Sequence, residues 1–232
     1  MPGQSRPGRS HGRNLGQHFL ESAALAGRLA REAGIAPSDH VVEFGAGSGA
    51  LTAALVDCGA RVFAVEVDRS LVARLVQRFG DASAVTVFEC DAIEFPLPST
   101  PFRVFANPPF NRTAAILHRL LDDPAGGLVR ADLVVQWQVA RARAQAGAQV
   151  PLDLVGASWG PWWVFRRARR LPAKLFRPAP SVDAALLTVT RREAGLLPVE
   201  VAPQFMDFVR DRFAAAPPQR GVDDWVRRFT AR

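Results

Sequence analysis

The string Ala106-Asn107-Pro108-Pro109-Phe110-Asn111 carries the most chemical information in this 232-residue sequence. Its consecutive prolines restrict the backbone, so an amide side chain, a carbonyl group and an aromatic ring are held in a fixed relation. The side-chain oxygen of Asn107 and the carbonyl of Pro108 could each accept one N–H of a planar NH2 group, such as the N6 amine of adenine. Phe110 would stack on the ring that carries the amine. The string predicts group transfer to an amino nitrogen by positioning and electrostatic stabilisation. A proline-rich turn is the structural alternative.

A glycine-rich turn upstream predicts a cofactor site. The apolar run His40–Phe44 leads into Gly45-Ala46-Gly47-Ser48-Gly49, and glycines let the backbone approach a ligand closely. Glu66 ends the next apolar run, about 20 residues after Gly45, where it could bind ribose hydroxyls. Asp91 ends the run after that and could accept an adenine amino group. Each feature alone could be a tight turn or a polar strand end, but the three in this order predict a nucleoside cofactor.

Apolar periodicity places these residues in a β-α alternation. The predicted strands are His40–Phe44, Val62–Val65, Val85–Phe88, Val104–Ala106, Leu133–Val135 and Ala184–Thr190. The predicted helices are Glu21–Ala33, Leu51–Val56, Leu71–Phe79 and Thr113–Leu121. This alternation predicts a parallel sheet covered by helices on both faces, an α/β doubly wound fold.

The texture of the sequence divides the chain into three parts. Residues 1–13 are rich in Gly, Ser, Pro and Arg and predict a flexible basic arm. Residues 14–192 hold the β-α alternation and predict the main domain. From residue 193 on, prolines interrupt short helical patterns around Phe205–Phe213 and Trp225–Phe229. Residues 193–232 are therefore predicted to be a small helical appendage.

The composition narrows the class of protein. Hydrophobic residues make up 48% and charged residues 22%, the balance of a globular protein with a core. No apolar run reaches the roughly 18 to 20 residues that a membrane span requires, and the first twenty residues lack a secretory signal, so a cytoplasmic protein is expected. Cys58 and Cys90 are too few and too far apart to indicate a disulfide framework or a zinc site, and no metal is expected.

The charge of the chain predicts a polyanionic partner. The net charge is +7, which favours binding to nucleic acid. Basic residues concentrate in the first 20 residues and between Pro161 and Arg192. A disordered tail and a solvated strand edge are the structural alternatives for these stretches.

Gly45, Glu66 and Asp91 at successive strand ends resemble the class I S-adenosylmethionine methyltransferases. The loop reads G-x-G-x-G and not G-x-G-x-x-G, and no pyrophosphate site is evident, which favours S-adenosylmethionine over NAD. The string Asn107–Phe110 resembles the [D/N/S]-P-P-[Y/F/W] signature of amino-group methyltransferases. That signature alone leaves DNA adenine, RNA adenine and protein glutamine open as substrates.

Two further segments point to RNA. Asn14–Leu20 resembles the N-L-G-Q-x-F-L entry of ribosomal RNA adenine methyltransferases, and Phe176–Asp183 resembles their F-x-P-x-P-x-V segment. With the order of parts, the resemblance covers nearly the whole chain and is closest to the Erm-type (macrolide-lincosamide-streptogramin B resistance) 23S rRNA adenine N6-methyltransferases. It implies a monomeric enzyme that methylates N6 of a 23S rRNA adenine and confers resistance to these drugs.

The resemblance also implies roles for individual residues. The implied cofactor contacts are His18, Leu20, Gly45, Gly47, Glu66, Asp91 and Asn107. Asn107, Pro108 and Phe110 would hold the target amine, with Phe176 on the other face of the extruded adenine. The expected phosphate contacts are Arg112, Arg166, Arg167, Arg169 and Arg170. His18 and Phe110 stand where the family often has Asn and Tyr, and the tail is short for the family.

Three alternatives remain at this point. A housekeeping small-subunit rRNA dimethylase would be expected to carry N-L-P-Y and a longer tail. A DNA adenine methyltransferase would require a sizeable target-recognition region. A non-catalytic RNA-binding factor on the same scaffold would be indicated by loss of Gly45, Glu66 or Asn107, and all three are present.

Overall fold

A seven-stranded sheet organises the protein in the computed structural model, which describes residues 18–20, 22–143, 153–214 and 221–232. The predicted arm, residues 1–13, and Asn14–Gln17 of the entry segment lie outside the described residues. The strands are β1 (Phe19–Leu20), β2 (His40–Phe44), β3 (Arg61–Glu66), β4 (Val85–Glu89), β5 (Phe102–Ala106), β6 (Leu128–Gln136), β7 (Trp163–Leu171), β8 (Phe176–Arg177) and β9 (Ala184–Arg191). The helices are α1 (Ala23–Glu32), α2 (Ala50–Asp57), α3 (Arg69–Phe79), α4 (Thr113–Leu121), α5 (Trp137–Arg143), α6 (Leu154–Trp159), α7 (Ala202–Phe213) and α8 (Val222–Thr230).

The sheet is parallel over five strands and antiparallel at one edge. Its order is β4-β3-β2-β5-β6-β9-β7, in which β9 runs antiparallel to both β6 and β7. The predicted parallel sheet is therefore confirmed for five strands, and β9 adds an antiparallel strand that the β-α alternation did not indicate. Residues 172–183 join β7 to β9 without a helix that could cross the face of the sheet, so the chain returns in the opposite direction.

Most predicted elements occur close to their predicted bounds. β2 and α4 have the predicted bounds, and β6 is longer than predicted at both ends. Ser22 begins α1 because its side chain accepts the N–H of Leu25. The sequence analysis predicted no element for β7, α5 or α6. Arginines interrupt the apolar alternation of β7, and the two helices span only seven and six residues, too few to show a helical period.

The core consists of two hydrophobic clusters on opposite faces of the sheet. Neighbouring residues of β2 alternate between them: Val41 belongs to the cluster with α1 and α2, and Val42 to the cluster with α4, α7 and α8. All three tryptophans at positions 159, 162 and 163 are at most 2% exposed, so they are core residues. The predicted boundary at residue 193 stays a prediction, but α7 and α8 share a core with the sheet.

The described residues contain neither a membrane-spanning helix nor a cluster of metal-binding side chains. No helix there has the length and hydrophobicity required to cross a membrane. The same residues contain no group of three or more His, Cys, Asp or Glu side chains that could bind a metal ion. Cys58 and Cys90 are free thiols, each half-buried.

Candidate cofactor and target-base site

A cavity of about 360 Å³ lies at the carboxyl ends of β2, β3, β4 and β5. Strand order reverses here, since β3 lies on one side of β2 and β5 on the other, and ligands of doubly wound sheets bind at such a point. The lining residues include Gly45, Glu66, Asp91, Pro108 and Arg112. Residues from four separate segments of the sequence therefore meet at one rim.

The glycine loop after β2 has a backbone that favours glycine. Gly45, Gly47 and Gly49 have φ values of 74°, 56° and 76°, in the left-handed region that other residues rarely adopt. Glu66 holds this loop: one carboxylate oxygen accepts the N–H of Gly47 at 2.9 Å, and the other accepts the N–H groups of Val67 and Asp68, each at 2.9 Å. Glu66 thus ties the loop to β3, a role that the sequence analysis did not predict.

Asp91 forms an ion pair with Arg112, and both residues line the cavity. One guanidinium nitrogen of Arg112 lies 2.5 and 2.6 Å from the two carboxylate oxygens of Asp91. One of these oxygens also accepts the N–H of Ile93 at 2.9 Å. Arg112, predicted to contact RNA phosphate, is thus a lining residue of the cavity and is paired with the acid predicted to contact the cofactor.

The orientation of the Asn107 side chain follows from the hydrogen bond that it donates to His18. Its side-chain nitrogen donates to the backbone carbonyl of His18 at 2.7 Å. Because only the NH2 end of an amide can donate to a carbonyl, the side-chain oxygen of Asn107 points away from His18, in an orientation in which it can act as an acceptor. A site that binds an amine requires an acceptor of this kind.

The N-terminal entry and the Phe176–Asp183 segment pair with each other. β1 and β8 form a two-stranded antiparallel sheet in which Phe19 lies opposite Arg177 and Leu20 opposite Phe176. A ring nitrogen of His18 lies 2.8 Å from the carbonyl oxygen of Pro178, and the His18 ring is 5.4 Å from that of Phe110. The two segments therefore form one structural unit beside the target-amine residues.

A smaller cavity, about 20 Å³, adjoins the first and shares Gly45 with it. Leu20 and Asn107 line this cavity. His18 and Gly47 contact residues that line the two cavities: His18 binds Asn107, and Gly47 binds Glu66. All predicted cofactor residues therefore lie in or directly beside these two cavities.

Phe176 is not brought to the cavity. Its side chain is 0% exposed and belongs to the cluster that contains α1 and α2, with Phe110 packed against that cluster. In this arrangement Phe176 offers no exposed surface to an adenine, so the expected sandwich with Phe110 stays a prediction. A ring without exposed surface would have to leave the core before it could stack on a base, whereas Phe110 is half-buried.

The predicted phosphate-binding arginines lie along the edge strand β7. Arg166 is exposed, and the side chain of Arg167 lies outside the described residues. Arg169 forms an ion pair with Glu32. Arg170 pairs with Asp183 at 2.8 Å, and its guanidinium lies 4.9 Å from the ring centre of Trp137. Protein carboxylates therefore neutralise part of the charge of this strand.

Comparison with known proteins identifies the family. A profile described as ribosomal RNA adenine dimethylase matches residues 9–216 of the chain. The chain belongs to this family. The predicted family of rRNA adenine N6-methyltransferases is therefore confirmed. The predicted α/β methyltransferase fold and the class of enzyme are confirmed as well. Methyltransferases of this kind use S-adenosylmethionine.

Relatives in the dimethylase family cover most of the chain. An rRNA adenine N-6-methyltransferase of Corynebacterium diphtheriae is 37% identical over 94% of this chain and 83% of its own length. The mycinamicin-resistance protein MyrB of Micromonospora griseorubida is 36% identical over 92% of this chain and 70% of its own length. The crystal structure of the 23S rRNA methyltransferase ErmE matches with a TM-score of 0.75 at 26% identity, covering 85% of this chain and 80% of ErmE.

Glu43 is a site residue of this dimethylase-family chain that the sequence analysis did not single out. It lines the smaller cavity with Asn107, is 1% exposed, and accepts the hydroxyl hydrogen of Thr52 at 2.6 Å. The pKa of its carboxyl group is raised from 4.5 to about 8, chiefly by burial. The hydrogen bonds from Thr52 lower the pKa and the nearby charge of Glu66 raises it, and both effects are included in this value. The sequence signal that could have indicated Glu43 is the presence of an acidic residue inside the apolar run His40–Phe44.

Proposed function

We propose that this chain transfers a methyl group from S-adenosylmethionine to N6 of an adenine in 23S rRNA, and that this methylation confers resistance to macrolide, lincosamide and streptogramin B drugs. The orientation of Asn107, with its side-chain oxygen turned away from His18 so that it can accept an amine N–H, carries the chemical part of the proposal. The names of the relatives support the substrate and the phenotype, since MyrB is a mycinamicin-resistance protein and ErmE a 23S rRNA methyltransferase.

The residues around the cavity fit S-adenosylmethionine. Glu66 and Asp91 place carboxylates at two successive strand ends, which suits the ribose hydroxyls and the adenine amine of a nucleoside. The positive φ of Gly45 and Gly47 leaves the loop backbone open to close approach. Leu20 and Asn107, beside the smaller cavity, are proposed to contact the remaining part of the cofactor. When bound, S-adenosylmethionine supplies an electrophilic methyl group.

The protein side of the reaction is mainly positioning. The side-chain oxygen of Asn107 and the carbonyl of Pro108 each accept a hydrogen bond from the adenine amine. These hydrogen bonds orient the nitrogen so that its lone pair, otherwise delocalised into the ring, points toward the methyl group. No strong base is required before attack, because the nitrogen becomes acidic once it carries positive charge. Phe110 stacks on the extruded base and recovers roughly 1–3 kcal/mol of lost stacking. Phe176, buried in the hydrophobic cluster against which Phe110 packs, would have to move before it could stack on the base.

The RNA backbone is proposed to bind along β7, with Arg112 nearer the target base. Arg166, Arg167, Arg169 and Arg170 lie on one edge strand, and the net charge of the chain is +7. Phosphate contacts release counterions, so the affinity should fall steeply with salt. The scheme requires only one copy of the chain, and the monomer remains part of the proposal.

The small-subunit rRNA dimethylases are the second candidate. The N-P-P-F string at Asn107–Phe110, where that group is expected to carry N-L-P-Y, favours the large-subunit substrate. The substrate is therefore the first property to measure. One methyl-transfer assay distinguishes 23S rRNA, 16S rRNA and DNA as substrates.

The test is methyl transfer from labelled S-adenosylmethionine to protein-free 23S rRNA, 16S rRNA and DNA. We expect label in 23S rRNA, recovered as N6-methyladenine. Asn107→Ala should reduce transfer by about 100-fold or more, as loss of a transition-state hydrogen-bond partner does, with an unchanged Tm. Gln77→Ala, which removes an exposed amide on α3, is the matched control and should retain activity. Label in 16S rRNA or DNA would refute the substrate, and full activity of Asn107→Ala would refute the mechanism.

A further inference from the structure

Arg112 lines the cofactor cavity and forms an ion pair with Asp91, the carboxylate proposed to bind the adenine amine of the cofactor. It lies two residues after Phe110 and ends the short 3-10 helix Phe110–Arg112, so its backbone is close to the target-amine residues. Its side chain lines the cavity and pairs with both oxygens of Asp91. The exposed fractions of the two side chains are 43% and 32%, so solvent and ligands reach the pair.

The acceptor capacity of Asp91 is nearly used. A carboxylate offers about four lone-pair positions. The N–H of Ile93 occupies one, in a turn that fixes it next to Asp91, and the two contacts from Arg112 occupy two more. One position remains, but Arg112 contacts both carboxylate oxygens and lines the same cavity, so an adenine amine that binds Asp91 there competes with the guanidinium for space as well as for acceptors. The backbone donor of Ile93 cannot move away without unfolding the turn.

We propose that the Arg112–Asp91 ion pair is a strap over the cofactor site, which cofactor binding opens, and that the released guanidinium then binds an RNA phosphate beside the target base. This inference rests on the proposed function. It assigns Arg112 two alternative partners, a carboxylate in the free protein and a phosphate in the complex. An arginine suits both, because its planar fork binds either anion with two N–H groups.

Two states of one side chain couple the two ligands. The cofactor favours the state in which Asp91 is free, and the RNA favours the state in which Arg112 is free, and these are the same state. Each ligand should therefore tighten the binding of the other by the same factor. The strap thus favours RNA binding to the cofactor-loaded enzyme over the empty one.

The first experiment requires no RNA. The affinity for S-adenosylhomocysteine, an unreactive analogue, is measured by calorimetry for the wild type, Arg112→Ala and Arg210→Ala. Arg210 forms an exposed ion pair with Asp207 on α7, remote in sequence from the cavity residues, and serves as the matched control. We expect Arg112→Ala to bind the analogue about two- to fivefold more tightly, the range set by breaking a partly exposed ion pair, and Arg210→Ala to match the wild type. Weaker binding by Arg112→Ala would overturn the strap.

The second experiment measures binding of protein-free 23S rRNA at several salt concentrations, with and without saturating S-adenosylhomocysteine. In the wild type, the analogue should tighten RNA binding by the same two- to fivefold, about the factor that Arg112→Ala gains for the analogue, because both effects measure the same closed state, and it should steepen the salt dependence by about one phosphate contact. In Arg112→Ala both effects should vanish, while Arg210→Ala retains them. Coupling that persists in Arg112→Ala, or is absent from the wild type, would refute the inference. If 23S rRNA is not the substrate, the methyl-transfer assay will show no label in it. The calorimetric measurement of cofactor binding does not depend on that result.

Discussion

At the residue scale, a buried carboxyl group beside Asn107 makes the stability of the protein depend on pH. Glu43 lies in β2 at 1% exposure and has a pKa of about 8, chiefly because burial disfavours its charged form. In the unfolded chain the same group titrates near its ordinary value of 4.5. Between these two values the folded protein holds a proton that the unfolded chain has lost. This group therefore lowers the free energy of unfolding as pH rises through that window.

Replacement of Glu43 by Gln should remove this dependence. Glu43→Gln keeps the shape and the acceptor for Thr52 but cannot ionise, so its free energy of unfolding should exceed that of the wild type increasingly from about pH 5 to pH 8, by a few kcal/mol at the top of the range. Denaturant unfolding at a series of pH values measures the difference. The exposed Glu94→Gln is the control. Parallel pH profiles for wild type and Glu43→Gln would show that Glu43 does not titrate in this window.

Single residues differ in how far the sequence predicts them. Gly45, Glu66 and Asp91 could be placed at the cavity because strand periodicity is local and strand ends of a parallel sheet share a rim. The pairing of Arg112 with Asp91, and the burial of Phe176, could not be predicted. Both depend on which distant segments pack together, and no local pattern of residues encodes that contact.

At the scale of elements, the short strands β1 and β8 hold the entry segment over the glycine loop. The ring of Phe19 in β1 covers Gly47, and a Cβ atom on Gly47 would lie 2.7 Å from a ring carbon of Phe19. Glycine at position 47 therefore allows the positive φ of the loop and also leaves room for Phe19 of β1 to pack on it. The sequence predicted the loop but not this contact, because β1 and β8 are too short to show a strand pattern.

Gly47→Ala should consequently weaken cofactor binding, because the added Cβ displaces Phe19 as well as straining the backbone. Gly34 has a similar φ of 64° and no atom within 4 Å of an added Cβ, so Gly34→Ala is a control that carries the strain alone. We expect Gly34→Ala to lose about 1–2 kcal/mol of stability and to bind S-adenosylhomocysteine normally. Gly47→Ala should lose more stability and bind at least tenfold more weakly by calorimetry. Equal affinities of the two variants would show that the seating of β1 on the loop is irrelevant to the cofactor.

At the scale of the whole molecule, the C-terminal helices and the sheet share one core. Trp162, which precedes β7, packs its ring 5.7 Å from that of Phe205 in α7 and donates its N–H to the carbonyl of Leu197. Trp225 in α8 is 1% exposed and stacks on Phe213 at 5.9 Å. The change of sequence texture near residue 193 therefore marks a change from sheet to helices, whereas the hydrophobic packing continues across it. Composition alone could not reveal this continuity, because it depends on contacts between distant segments.

A shared core predicts that the described regions unfold together. Trp225→Ala removes a large buried ring and should lower the free energy of unfolding by about 3–5 kcal/mol. Calorimetry and circular dichroism should still show one transition, moved as a whole to lower temperature. Arg228→Ala, at an exposed position of the same helix, should leave the transition in place. If Trp225→Ala instead produced a separate early transition and left the main one unmoved, the helices would fold independently of the sheet. The tail would then be a domain in its own right, and its contribution to RNA binding could be measured by deleting it without loss of the cofactor site.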